Sequence, residues 1–280
     1  MIVDCHTHIR SLDEAELSEH LAAAETVDAC VVLATLDGSR DEMNRILGQY
    51  VGRHADRMVG FGIVDPTEDR IDDRRLAELT ETLGFKGFIL YCSMSGFHPT
   101  HSRAMRFYEA VQEMGMPIFF HNGSHSLKAS AILEYTQPYL LDEVARAFPR
   151  LRIIIGNMGV PFVEQTLSMV GKHERVYADL TIRPSKVWQT YNIVVAAHER
   201  GVMDKLLFGS GFPLSSADEC IETLLGFNML LSDTKLPTVP RGSIRNVIER
   251  DSLELLGIEH EQIRPPERKP QTSLPARQSD

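Results

Sequence analysis

Short apolar, β-branched runs alternate along the chain with longer segments whose apolar residues recur at helical spacing. The runs 2–8 (IVDCHTH), 29–35 (ACVVLAT), 58–64 (MVGFGIV), 86–92 (KGFILYC), 117–121 (PIFFH), 152–157 (RIIIGN), 176–181 (VYADLT) and 206–210 (LLFGS) predict eight strands. Between them the pattern predicts helices at about 13–25, 40–54, 70–83, 102–114, 138–147, 161–173, 187–200 and 216–231. Near-continuous apolar strands, each followed by a helix, suit a parallel sheet covered by helices. Eight such units in roughly 250 residues predict an α/β fold of the (β/α)8 TIM-barrel type. A doubly wound open sheet would want a glycine-rich phosphate turn after the first strand, and the chain reads HTHIRSLDEA there instead.

The pattern also places the ends of the domain. A further helix at about 241–256 carries Ile244, Val247, Ile248, Leu253 and Leu255 and is expected to close the bottom or side of the barrel. Beyond it, RPPERKPQTSLPARQSD is Pro-rich and polar, and too poor in apolar groups to offset its ordering entropy. The expected organisation is one barrel over 1–260 and a flexible tail over 261–280.

Composition narrows the partners. A net charge of −10 argues against nucleic acid or an anionic membrane, leaving a small-molecule substrate. No window approaches the ~20 apolar residues of a membrane span. Cys5, Cys30, Cys92 and Cys220 are widely spaced with no CxxC pair, so they are expected to be reduced thiols. With no basic segment leading into a long apolar one at the N-terminus, this predicts a cytoplasmic protein. Pairing of outer helices into a homo-oligomer is compatible with the pattern but not required by it.

In a barrel of this kind chemistry sits at the C-terminal strand ends. Strand one brings Asp4, His6 and His8 to one face, and two imidazoles at i and i+2 can both reach one metal ion. Strand five ends in His121, with His125 in the loop after it. Strand six delivers Asn157, an amide that hydrogen-bonds but transfers no proton at neutral pH. Strand seven directs Tyr177, Asp179 and Thr181 inward, with Asp179 either holding a loop or taking part in catalysis. Strand four ends at Cys92, either a small hydrophobe or a group facing the substrate. Strand eight delivers Gly211, which has no side chain at all.

Four of these segments together resemble the amidohydrolase superfamily, in the amidohydrolase-related branch that includes aminocarboxymuconate semialdehyde decarboxylase, aromatic-acid decarboxylases and lactone hydrolases. IVDCHTH is similar to its first-strand DxHxH, GMPIFFHNGS to its strand-five block, AFPRLRIIIGNMGVPF to its strand-six block, and KLLFGSGFPL to its strand-eight GSDxP. The resemblance runs over about residues 1–257. It implies a divalent metal held by His6, His8 and His121, with zinc expected first and manganese or another first-row ion as alternatives. It also marks two departures. The family usually has histidine where this chain has Asn157 and aspartate where it has Gly211.

Three functions follow as expectations. The first is a metal-dependent hydrolase of a small ester, lactone or amide, acting through a metal-activated water. The second is a decarboxylase of a small carboxylic acid. The third is a metal-free divergent barrel that binds a small molecule or has changed its chemistry. In the enzymatic readings Asp179 is the substitute for the missing acid, and Arg183, beyond strand seven, is positioned to neutralise a substrate carboxylate entering beside Gly211. Restoring the acid by Gly211→Asp would then tighten metal binding.

Overall fold

In a computed structural model, which describes residues 1–121 and 129–263, eight parallel strands lie in the order β1 to β8 around one sheet. They are β1 Val3–His8, β2 Ala29–Leu33, β3 Met58–Ile63, β4 Gly87–Leu90, β5 Pro117–Phe120, β6 Arg152–Ile155, β7 Val176–Thr181 and β8 Leu206–Gly209. Each pairs only with its neighbours, from Asp4 opposite Cys30 round to Thr181 opposite Gly209. The strands are buried on both faces, which explains their unbroken apolar runs. The (β/α)8 barrel expected from the sequence is the fold.

The seam between β8 and β1 closes differently from the other seven. Beyond the end of β8, the Gly211 N–H donates to the His6 carbonyl (2.8 Å) and the His8 N–H to the Phe212 carbonyl (3.1 Å). The buried Asp4 carboxylate accepts from the backbone N–H groups of His6 (3.1 Å) and Ser210 (2.9 Å). Burial nevertheless raises its pKa to about 6. The seam is thus tied at the level of the two histidines of β1, and its backbone donors come from a chain that must pass close by.

The outer helices are α1 Glu14–Ala23, α2 Arg40–Arg53, α3 Asp73–Ala77, α4 Cys92–Ser95, α5 Ser102–Glu113, α6 Leu141–Ala147, α7 Val163–Lys172, α8 Val187–Glu199, α9 Ala217–Gly226, α10 Arg241–Glu249 and α11 Ser252–Leu255. Asp13 and Ser39 accept from first-turn N–H groups of α1 and α2, and Ser216 with Glu219 forms a capping box on α9. One apolar core runs from Val3 to Ile258.

Three sequence-derived elements differ in detail. The helix expected at 70–83 is a short α3 followed by a π-helical turn, Glu78–Thr82. The final helix is broken in two because Asp251 caps a new start, accepting from the Glu254 N–H. The expected closing role does belong to this pair: Arg250, between α10 and α11, donates to the Leu206 carbonyl at the base of β8. Strand four stops at Leu90, so Cys92 heads α4 and is not a strand end. The tail proposed over 261–280 lies, from 264 onward, outside the described residues.

Candidate metal centre and active site

β1 carries both His6 and His8 to the mouth of the barrel, with a register irregularity against β2 between Asp4 and Thr7. Their Nε2 atoms lie 3.0 Å apart. His121, just past β5, faces them, with ring centroids 5.4 Å from His6 and 5.6 Å from His8. The ligand atoms of His6, His8 and His121 all lie within 4.8 Å of one another.

The surroundings assign the tautomers. His6 Nδ1 is 2.6 Å from Asp179 Oδ2, so it carries the proton and donates it. His8 Nδ1 donates to the Leu33 carbonyl at 2.9 Å. Both Nε2 atoms are therefore left as lone pairs, pointing at each other across 3.0 Å. Such a contact repels unless a proton or a cation lies between. Desolvation at the cavity floor and the nearby His6 ring lower the His8 pKa to about 3, which disfavours the proton at neutral pH. A cation is what the donor set fits, and three neutral imidazoles suit zinc and its first-row neighbours.

Asp179 is completely buried and gathers hydrogen bonds from three sides. Its Oδ2 accepts from His6 Nδ1, from the Asn157 backbone N–H (2.9 Å) and from the Thr181 hydroxyl (2.6 Å). That is the arrangement of an outer partner to a candidate metal-ligating histidine. Asn157 itself lies at φ 51° and is followed by Met158 at φ 52° and Gly159 at φ 61°. Two consecutive non-glycine residues in the left-handed region are costly, and here they turn the chain so that the Asn157 N–H meets Asp179. The Asn157 side chain also borders the cavity.

The histidines form the floor of a cavity of about 430 Å³. Its lining includes the polar groups of Arg10, Asp37, Thr181 and Arg183 and the apolar side chains of Leu36, Tyr91, Met94, Pro213 and Leu214. Arg183 makes no ion pair among the described residues, and its buried Nε has no hydrogen-bond partner. Burial lowers its pKa from the ordinary guanidinium value while the charge of Asp179 opposes that, and an arginine stays charged through such a shift. Among the described residues it is a cation on the cavity lining with no salt-bridge partner.

Not every residue expected at the site reaches it. Cys92 is buried, is not among the residues lining the cavity, and has its thiol pKa raised by that burial, as for a small hydrophobe. His125 lies outside the described residues. Gly211 lines the cavity as expected, but at φ 70°, and an added Cβ would stand 2.7 Å from the Thr181 γ-methyl. The expectation that Gly211→Asp simply restores a ligand is therefore opposed by strain and by contact. Arg10 and Asp37 lie in connections whose path no periodicity reveals, and Tyr91, expected inside the fourth strand, comes one residue after its end and reaches the cavity from there.

Fold and site together define a (β/α)8 barrel with a candidate metal centre of three imidazoles at its C-terminal mouth. Residues 3–235 match the family described as Amidohydrolase, and the chain belongs to that family. No curated protein matches the sequence. Among solved structures, the barrel is similar to a probable 2-pyrone-4,6-dicarboxylic acid hydrolase from Acinetobacter baumannii with citric acid bound. That likeness has 17% identity, TM-score 0.66 and coverage of 92% of this chain and 99% of that one. It is also similar to a 2,6-dihydroxybenzoate decarboxylase from Rhizobium, at 15% identity and TM-score 0.60 over 91% and 98% of the two chains. A third is a 5-carboxyvanillate decarboxylase from Novosphingobium aromaticivorans, complexed with manganese and 4-hydroxy-3-methoxy-5-nitrobenzoic acid. It shares 13% identity and TM-score 0.64 over 92% and 96%. At these identities the likeness is one of fold.

Proposed function

We propose that the protein is a divalent-metal-dependent enzyme that hydrolyses a small ester, lactone or amide bearing a carboxylate. The observation that carries this reading is the pair of bare imidazole nitrogens 3.0 Å apart, each oriented by a partner on its far side. His6, His8 and His121 would hold the ion, zinc by the chemistry of the donors, manganese by analogy with the decarboxylase from Novosphingobium. Bound there, a divalent ion supplies Lewis acidity toward a carbonyl oxygen and toward water. The rest belongs to the chain. Asp179 keeps His6 in the ligating tautomer. Arg183 pairs with the substrate carboxylate and fixes its orientation, and the apolar side chains of the lining receive the body of the substrate and exclude water.

Decarboxylation is the second reading, and one observation favours it. Among the residues lining the described cavity the one carboxylate, Asp37, is exposed, and Asp179 lies buried outside that lining, its Oδ2 accepting three hydrogen bonds and its Oδ1 without a partner, so no cavity-lining carboxylate stands beside the imidazoles as a base for water. A reaction whose substrate brings its own carboxylate to the ion needs no such base for water. The Acinetobacter hydrolase and the two decarboxylases sit on either side of this choice.

The test begins with metal content of protein purified without chelator. About one zinc or manganese per chain, falling at least tenfold in His6→Ala, is expected. No metal after resupply would overturn both readings in favour of a metal-free barrel. Turnover of a panel of carboxylated lactones, set against CO2 release from aromatic acids, then separates hydrolase from decarboxylase. In the hydrolase reading Arg183→Met is expected to raise KM at least tenfold for carboxylated lactones and to leave their uncharged counterparts nearly unaffected.

A further inference from the structure

Thr181 ends β7 opposite Gly209 and faces the centre with both ends of its side chain. Its hydroxyl lies 2.6 Å from Asp179 Oδ2 and 3.0 Å from His6 Nδ1. Its γ-methyl stands where a Cβ on Gly211 would have to go, at 2.7 Å. The neighbouring glycine shows the same crowding, for a Cβ at Gly209 would meet Asp179 Oδ1 at 2.4 Å and His6 Cβ at 2.9 Å. Strand eight and its extension are therefore bare where the β7 side chains and His6 lean against them.

We propose that Thr181 is the positioning residue of the metal centre: its hydroxyl locks Asp179 so that His6 presents Nε2, and its methyl closes the β8 side of the centre to any side chain at position 211. The proposal rests on the metal-site reading above. It assigns the anionic charge of the centre to β7, one residue removed from the ion, instead of to β8. It also gives the two halves of one small side chain separable duties. Without the hydroxyl, Asp179 Oδ2 loses one of its three donors and is free to rotate away from His6 Nδ1. Without the methyl, position 211 gains room while the hydroxyl network stays.

Two conservative variants separate the duties. Thr181→Val keeps the methyl and removes the hydroxyl, and Thr181→Ser does the reverse. Zinc affinity measured by competition with a chromophoric chelator is expected to fall tenfold or more in Thr181→Val and to stay within about threefold of wild type in Thr181→Ser. In metal-free protein, the 15N shifts of the His6 ring should report a protonated Nδ1 in wild type and Thr181→Ser, and a tautomer mixture in Thr181→Val. The methyl is tested without metal by the urea midpoint of Gly211→Ala in two backgrounds, wild type and Thr181→Ser. The left-handed backbone cost is common to both and cancels. At least half of the midpoint loss seen in the wild-type background should therefore be recovered in the Thr181→Ser background. An unchanged tautomer in Thr181→Val, or an equal Gly211→Ala loss in both backgrounds, overturns the proposal. If wild type binds no metal, the preceding reading fails, and the two metal-free measurements decide this one.

Discussion

His6 is held from behind by Asp179 at 2.6 Å, and its outward nitrogen is thereby fixed without any covalent constraint. The sequence made His6 and His8 visible, because alternation on a strand puts i and i+2 on one face. It could not reveal that Asp179 is hydrogen-bonded to an imidazole, because the three donors on its Oδ2 come from β1, β7 and the turn after β6. A second buried histidine shows how such a residue enters stability. His20 is fully buried in α1, its Nδ1 paired with the Tyr50 hydroxyl at 2.6 Å, and burial lowers its pKa to about 4. The unfolded chain takes up this proton near pH 6.5, the folded protein only near pH 4, so the contribution is present above pH 6.5 and is lost as pH falls through that window. At about 1.4 kcal/mol per pKa unit this amounts to roughly 3 kcal/mol. The stability gap between wild type and His20→Gln should therefore shrink by about 2–3 kcal/mol between pH 7.5 and pH 4. A gap that holds constant across urea titrations at both values would show that His20 is not the group responsible.

At the scale of elements, β8 is the least expected piece. Its apolar residues Leu206, Leu207 and Phe208 read as a buried strand and form one. Its glycines read as a strand that presents nothing, and in the folded barrel they are points of close approach. Gly211 serves through its backbone N–H, which closes the seam on His6, and Gly209 lies under the Asp179–His6 pair. Gly209→Ala is thus expected to cost about 1–3 kcal/mol in urea unfolding, as overpacking between fixed strands does. Gly52, in α2, has no atom within 4 Å of an added Cβ, and Gly52→Ala should instead stabilise by roughly 0.5–1 kcal/mol. If the two substitutions behave alike, close approach is not what β8 requires of its glycine. Helix boundaries were less legible than strands. The break before α11 depends on Asp251 finding the Glu254 N–H, a local contact that periodicity blurs.

The whole molecule is a barrel whose mouth gathers side chains separated by up to some two hundred positions in sequence, His6 and Gly211 being adjacent only because β1 follows β8 around the ring. No described helix is long and apolar enough to cross a membrane. Because the candidate ligands come from β1 and from the end of β5, binding of the proposed ion should stabilise the entire fold and not one loop. With zinc at a hundred times its dissociation constant, linkage predicts about 2.7 kcal/mol, or a rise in Tm of roughly 5–10 °C over chelated protein. Superimposable melting curves with and without zinc would contradict a folded-state metal site. What the sequence by itself determined was the barrel, its eight strands and the identity of its imidazoles, because periodicity and strand alternation are local and repeat often enough to be read. What only the tertiary structure decided was the tautomer of His6 and His8 and the reason for a bare Gly211, because each depends on atoms brought within about 3 Å by the pairing of strands around the ring, and nothing local in the chain encodes that distance.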